Sequence, residues 1–310
     1  MKYKIVFIDI DGTLRNKAKQ VTAVTADSIR RAVESGLIVV ICSARYRKYT
    51  MLVSLEANAS GYIISSNGSD VYNYKTEETI YNKSIDKETL KRLYDLALKY
   101  DAVIDLDNEG DRYANIIRHP DRELLIDDFD KVISEHNVTQ CVINDPDDEK
   151  IRKVIDEVKQ IDTVEIKNIT KYLVDPTVER PPNFFCDIGV PNVNKGTGIK
   201  ELLDYLKISK DEAIAIGDGL NDLNMFSEVG YKVAMANSIQ AVLDVADEVT
   251  LSNEDNGVAA FLDGLINEWL YMFLNESDCV KGVGGGPFYA KEIEWKNIYN
   301  HLTKNMWKKA

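Results

Sequence analysis

Apolar residues fall along this chain in two rhythms. Short runs, KIVFID at 4–9, LIVVIC at 37–42 and YIIS at 62–65, alternate with stretches near 25–35 and 46–57 whose apolar positions recur at helical spacing. The first helical stretch ends at Gly36. This βαβαβ order predicts a parallel sheet with helices on both faces and ligand sites beyond the carboxyl ends of the strands. The rhythm returns in AIAIGDG at 213–219 and YKVAMAN at 231–237. Residues 84–190 read differently, as helices near 86–99, 121–136 and 147–159 among strands near 102–106, 111–116, in VTQCVIN and through FFCDIGV. The expected organisation is a Rossmann-like α/β core formed by 1–83 and 191–270, with a separate α+β domain, 84–190, inserted into it. A third segment, 271–310, carries GVGGG and then Trp295, Ile298, Tyr299, Leu302 and Met306 at helical spacing, which predicts an amphipathic helix on a flexible tether. Its apolar stripe, with five lysines against two glutamates beyond Pro287, is expected to dock on an acidic, apolar face of the core or of a second subunit.

Composition narrows the partners. A chain of 310 residues with 45% hydrophobic residues has enough apolar material for two ordinary cores. Net charge of −13 disfavours nucleic acid and anionic membranes and points to a small ligand. The apolar tract LINEWLYMFL at 265–274 is interrupted and short of the ~20 residues a membrane span needs, and no basic-then-apolar leader opens the sequence, so a cytoplasmic location is expected. Cys42, Cys141, Cys186 and Cys279 lack CxxC spacing, and no histidine lies near them in sequence, so neither a disulfide framework nor a zinc site is expected.

The chemistry begins at IDIDGTL, residues 8–14, where an apolar run ends in Asp9 and Asp11. On a strand, residues two apart point the same way, so both carboxylates are expected in one small volume. A cation between them, or a proton on one, relieves the repulsion. Three further segments sit at the ends of strand-like runs or beside them: SAR at 43–45, Lys195 in NVNKGTG, and GDGLND at 217–222. Taken singly, each has a plainer reading, since Asp-Gly after a strand is commonly a turn, a lone serine a cap, and a lone lysine a surface group. Their order and spacing together carry the signal. The glycines, including GVGGG, match neither dinucleotide nor P-loop fingerprints.

Together these segments resemble the haloacid dehalogenase-like hydrolases, in particular the Cof-type branch, whose α+β cap is inserted between the second and third motifs. SSNGS at 65–69, KGTGIKELLDYL at 195–206, AIGDGLNDLNMF at 215–226, VAMANS at 233–238 and NEDNGVAAFL at 253–262 extend the likeness over about residues 1–268. The resemblance implies that Asp9 is the nucleophile towards phosphorus and Asp11 the general acid and base. It implies Mg²⁺ as cofactor, held by Asp9, the Asp11 carbonyl, Asp218 and, close behind, Asp222. Ser43, Gly12, Thr13 and Asn221 would contact the phosphate, Lys195 would stabilise its developing charge, and Arg45 would meet the substrate or the cap. One departure is Ala44, where the branch usually has glycine. The implied activity is Mg²⁺-dependent hydrolysis of small phosphorylated metabolites, sugar phosphates favoured, through an aspartyl-phosphate. A phosphotransferase or mutase using the same intermediate, and a non-catalytic module on the same fold, are the alternatives. The inserted domain would read the rest of the substrate, with Arg112, Tyr113, Arg118, Asn183 and Phe184 as candidates.

Overall fold

The computed structural model describes residues 2–172 and 183–276. In chain order its elements begin β1 (Ile5–Ile8), α1 (Ala23–Glu34), β2 (Ile38–Cys42), α2 (Arg47–Glu56), β3 (Tyr62–Ser65), β4 (Asp70–Asn73) and β5 (Glu78–Asn82). Next come α3 (Lys87–Lys99), β6 (Val103–Asp107), β7 (Arg112–Ala114), β8 (Glu123–Leu125), α4 (Phe129–Glu135), β9 (Gln140–Asp145), α5 (Asp148–Val158), β10 (Glu165–Tyr172) and β11 (Asn183–Gly189). The chain then returns through α6 (Lys195–Leu206), β12 (Ala213–Gly217), α7 (Leu223–Phe226), β13 (Tyr231–Ala234), α8 (Gln240–Leu243), β14 (Glu248–Val249) and α9 (Gly257–Glu276).

Strand β1 is wholly buried because both faces of its sheet are covered. Val6 and Ile8 pack with Ile29 of α1, Val53 of α2 and Val258 and Phe261 of α9, whereas Ile5 and Phe7 pack with Ile199 and Leu202 of α6 and Met225 of α7. The sheet order is β14-β13-β12-β1-β2-β3-β4-β5. It is parallel from β14 to β3, with β4 and β5 added antiparallel. Ile8 lies in register with Ile41 of β2 and Ile216 of β12. The strand order reverses at β1, which opens a crevice at these three carboxyl ends.

Residues 103–189 contain a second sheet, ordered β10-β11-β9-β6-β7-β8, antiparallel except between β7 and β8. One face of this cap packs Ile104, Leu106, Cys141, Ile143, Cys186 and Ile188 against Leu90 and Leu93 of α3 and Ile151 and Val154 of α5. Alternation sends Asp105, Asp107, Arg112, Gln140, Asn144 and Asp187 to the opposite face. The helix expected over 121–136 is instead β8 followed by α4. Glu123 turns inward and accepts N–H bonds from Arg118 and His119 at 2.7 and 3.0 Å, which favours pairing of β8 with β7, and Asp128 then caps α4 at Lys131.

Residues to Asn267 form one compact unit and those from Glu268 a second. Helix α9 runs on to Glu276, and the amphipathic helix expected near 295–306 lies outside the described residues. Among the described residues no helix is long and apolar enough to cross a membrane.

Candidate active site

Asp9, Ser43 and Asp218 each follow the last residue of a central parallel strand, so the register of β1, β2 and β12 brings them to one edge. Asp9 is buried, and its carboxylate accepts a bond from the ammonium of Lys195, which also donates to Asp222 at 2.7 Å. Lys195 itself is fully buried. It is the first residue of α6, whose start is fixed by a reciprocal cap between Asn194 and Thr197. The SSNGS turn backs this start. Gly68 has φ of +92°, and a Cβ there would run into the Asn194 carbonyl.

The GDGLND segment is similarly tied down. Asp222 accepts from the backbone N–H groups of Asp218 and Gly219, both at 2.9 Å, through the oxygen that does not meet Lys195. Asp218 accepts from the Thr13 hydroxyl at 2.7 Å. Gly12, at φ of +92°, lies so close to the Asp218 carboxylate that any side chain would collide with it. The Gly12 carbonyl in turn accepts from Asn237 at 2.8 Å. Asn237, within the VAMANS phrase, is a supporting residue that no strand-end rule picks out.

Carboxylate oxygens of Asp9, Asp218 and Asp222 lie within 4.8 Å of one another. Crowding and burial shift their chemistry. Burial holds the Asp9 carboxyl well above the usual carboxylate range, Asp222 adds to this, and Lys195 opposes it. Asp218 is pushed up to about 6, first by burial and then by Asp222, against the Thr13 hydrogen bond. Burial alone would lower Lys195, but Asp222 and Asp9 keep its ammonium charged beyond the ordinary range. Three carboxylates against one ammonium leave two negative charges, and the donors are all oxygen. That set fits a hard divalent cation such as Mg²⁺. Asp222 has both oxygens engaged, so Asp9 and Asp218 are the residues with an oxygen free of described hydrogen bonds to offer.

Asp11 departs from the shared-volume expectation. Strand β1 ends at Ile8, so alternation no longer governs the loop, and the Asp11 carboxylate emerges half-exposed to accept from Arg45 Nε at 2.9 Å. Two different cations therefore serve the two acids, Lys195 for Asp9 and Arg45 for Asp11. Ser43 is buried, and its Oγ accepts from the Arg45 N–H at 3.1 Å, which leaves the hydroxyl proton available to a ligand. The loop from Ser43 to Arg45 is clamped by N–H donation from Ser66 to the Arg45 carbonyl and from Asn67 to the Ser43 carbonyl, at 2.8 and 3.1 Å. Asn221 lies exposed on its turn and forms no side-chain hydrogen bond with a described residue.

A buried pair missed from the sequence supports this loop. Arg47, which opens α2, donates through Nε to Asp70 at 2.8 Å and stacks on Tyr72 at 4.2 Å. Asp70 also accepts from Ser65 at 2.7 Å and from Asn82, at the exit towards the cap, at 3.1 Å. The cap meets the core through Thr139 on Ser66 at 2.8 Å, Lys48 on Asp111 at 2.8 Å and the Arg112 guanidinium 4.9 Å from the Tyr46 ring centre. Of the cap candidates, Arg112, Arg118 and Asn183 belong to the polar network of the sheet's other face, whereas Tyr113 and Phe184 pack against the helical core.

Comparison with known proteins agrees with this architecture. The family model for haloacid dehalogenase-like hydrolases matches residues 6–262. The candidate phosphatase YxeH of Bacillus subtilis is 32% identical over 277 residues, covering 85% of this chain and 98% of its own length. The 5-amino-6-(5-phospho-D-ribitylamino)uracil phosphatase YitU of the same organism is 28% identical, with 83% and 96% covered. A crystal structure of a haloacid dehalogenase-like hydrolase from Bacteroides thetaiotaomicron superposes with a TM-score of 0.73 at 26% identity, over 85% of this chain and 99% of that one. With its central strand ending in a buried, lysine-bound aspartate beneath an inserted α+β cap, the chain belongs to the haloacid dehalogenase-like hydrolases.

Proposed function

We infer that the protein is a Mg²⁺-dependent phosphatase of small phosphorylated metabolites, sugar phosphates foremost, acting through a phosphoryl group carried on Asp9. The observation that carries this reading is the Asp9 carboxylate, bonded to a fully buried lysine and gathered with Asp218 and Asp222 at the end of the central strand. Asp9 attacks phosphorus, a bond forms from its carboxylate oxygen, and the bond to the ester oxygen breaks. Asp11, half-exposed and paired with Arg45, gives the leaving group its proton. Water then attacks the phosphoryl group, Asp11 takes the proton, and phosphate and free Asp9 result. Lys195 and Ser43 donate to the charge that develops on the transferring group, and Gly12 and Thr13 present backbone N–H groups to it. Asp9, Asp218 and the Asp11 carbonyl would hold Mg²⁺, which when bound would supply the positive charge that lets an anionic nucleophile approach an anionic ester. The named substrate of YitU, a phosphate ester of a ribityl chain, supports a polyhydroxylated substrate. A panel of phosphate esters assayed for phosphate release, with Mg²⁺ and with excess EDTA, tests the reading. Release is expected with Mg²⁺ alone. Undiminished release in EDTA would overturn the metal requirement, and no release from any ester would overturn the phosphatase reading.

A further inference from the structure

The polar face of the cap sheet, where Asp105, Asp107 and Glu123 are themselves buried, carries an imbalance of charge that bears on what the site admits. Asp105, Asp107, Glu123 and Asp187 stand there against Arg112 and Arg118. Neither arginine is spare. Arg112 meets Asp107 through two bonds, Nε at 2.6 Å and Nη2 at 2.8 Å, and Arg118 Nη2 meets both oxygens of Asp105 at 2.7 Å. Arg45 and Lys48, reaching in from the core, are matched by Asp11 and Asp111. Among the described residues the face thus holds two more acids than bases.

Asp187 is the acid whose charge has no such match. It accepts a hydrogen bond from Asn168 and makes no salt bridge with a described residue. Its side chain is partly exposed. Burial pushes its carboxyl up to about 6, Asp107 adds to this, and Arg112 and Arg45 oppose it. Register sets Asp187 beside Val142, itself beside Asp105, on the face that meets the core through Arg112 and Tyr46. Two further atoms of this face are buried without partners, Asn183 Oδ1 and Arg118 Nε, on either side of Asn144. One is an acceptor and the other a donor.

We propose that this face, with Asp187 as its deciding residue, selects phosphate monoesters whose remainder is neutral or cationic and rich in hydroxyl or amine groups, and turns away those with a second anionic group. The proposal rests on the phosphatase reading above. Asp187 accepts a hydrogen bond from a substrate hydroxyl or ammonium, and a carboxylate or second phosphate at the same place meets an unneutralised charge. At a separation of about 6 Å and an effective dielectric near 20, such repulsion costs on the order of a hundredfold in affinity before screening, so at least about tenfold in kcat/KM should survive.

Matched esters test it at pH 8 with Mg²⁺: glycerol 3-phosphate against 3-phosphoglycerate, and glucose 6-phosphate against glucosamine 6-phosphate. Expected is a preference of about tenfold or more for glycerol 3-phosphate over its carboxylate counterpart, with the amino sugar at least equal to glucose 6-phosphate. Asp187→Asn should shrink the first ratio towards unity, chiefly through KM, and Asp187→Lys should invert it. Replacing a carboxyl that burial already disfavours should leave folding intact, as melting curves would verify. Asp162→Asn, an equal change of charge at an exposed loop, should leave the ratio unmoved. Equal use of both glycerol derivatives by the wild type overturns the selection, and an unchanged ratio in Asp187→Asn overturns the role of that residue. Failure to hydrolyse any ester, p-nitrophenyl phosphate included, is the separate failure of the phosphatase reading and removes this inference with it.

Discussion

Replacing Lys195 with methionine probes folding and chemistry at once. The side chain is fully buried and its ammonium is shared between Asp9 and Asp222. Methionine keeps the length and apolar stem but leaves three carboxylates within 4.8 Å without their cation. Breaking a buried ion pair from one side costs about 3–5 kcal/mol, because the remaining charge stays desolvated. For a unit of this size that corresponds to a fall of roughly 6–20 °C in Tm. Part of the loss should return in excess Mg²⁺, which fits the same carboxylates, and part at low pH, where protons neutralise them. Activity should not return in the same way. A charge aimed at a transferring group is worth about 10²–10³ in kcat, so Lys195→Met should stay at least about a hundredfold down even in saturating Mg²⁺. Thermal melting with and without Mg²⁺, together with steady-state turnover of a generic ester, reads both effects. A variant whose Tm lies within about 2 °C of wild type and whose kcat lies within about threefold would refute the argument, since surface lysines behave that way.

Asp218, at about 6, binds a proton in the folded state that the unfolded chain has already lost, so in EDTA its contribution to stability falls as pH rises from about 4 to about 6. Mg²⁺ competes with those protons, so the gain in Tm on adding it should be larger at pH 8 than at pH 5; an equal gain at both would contradict a site built on these carboxylates. Asp70→Ala strands the buried Arg47 guanidinium and should cost about 3–5 kcal/mol in urea unfolding, with a raised KM as the loop from Ser43 to Arg45 loosens. A loss below about 1 kcal/mol would show that the pair is incidental.

Much of the core was legible because a strand buried on both faces must be a continuous apolar run, and three such runs, β1, β2 and β12, are followed by Asp, Ser and Asp. Asp9, Ser43 and Asp218 each stand directly after such a run, and the roles expected of them come from the family resemblance. The hairpin of β4 and β5 was not legible, since DVYN and ETIYN are short and mixed in polarity, and β5 forms the sheet edge. The region 121–136 misled because a helical periodicity in RELLIDDF cannot reveal that Glu123 has turned inward onto two backbone N–H groups. Asp11 was misplaced because period-two reasoning was carried three residues beyond the end of β1. Pairs such as Arg47 with Asp70, or Asn237 with Gly12, join residues far apart in sequence, and local pattern holds no trace of them.

Transfer of the phosphoryl group to Asp9 is open to direct chemical capture. Enzyme turning over a generic phosphate ester with Mg²⁺ is quenched in acid, reduced with borohydride and digested, so that a phosphorylated aspartate is converted to homoserine and located by mass spectrometry. Conversion is predicted at Asp9, to be abolished in Asp9→Asn and retained in Asp11→Asn, where dephosphorylation is slowed. Conversion at a different residue, or full turnover by Asp9→Asn, would contradict the account.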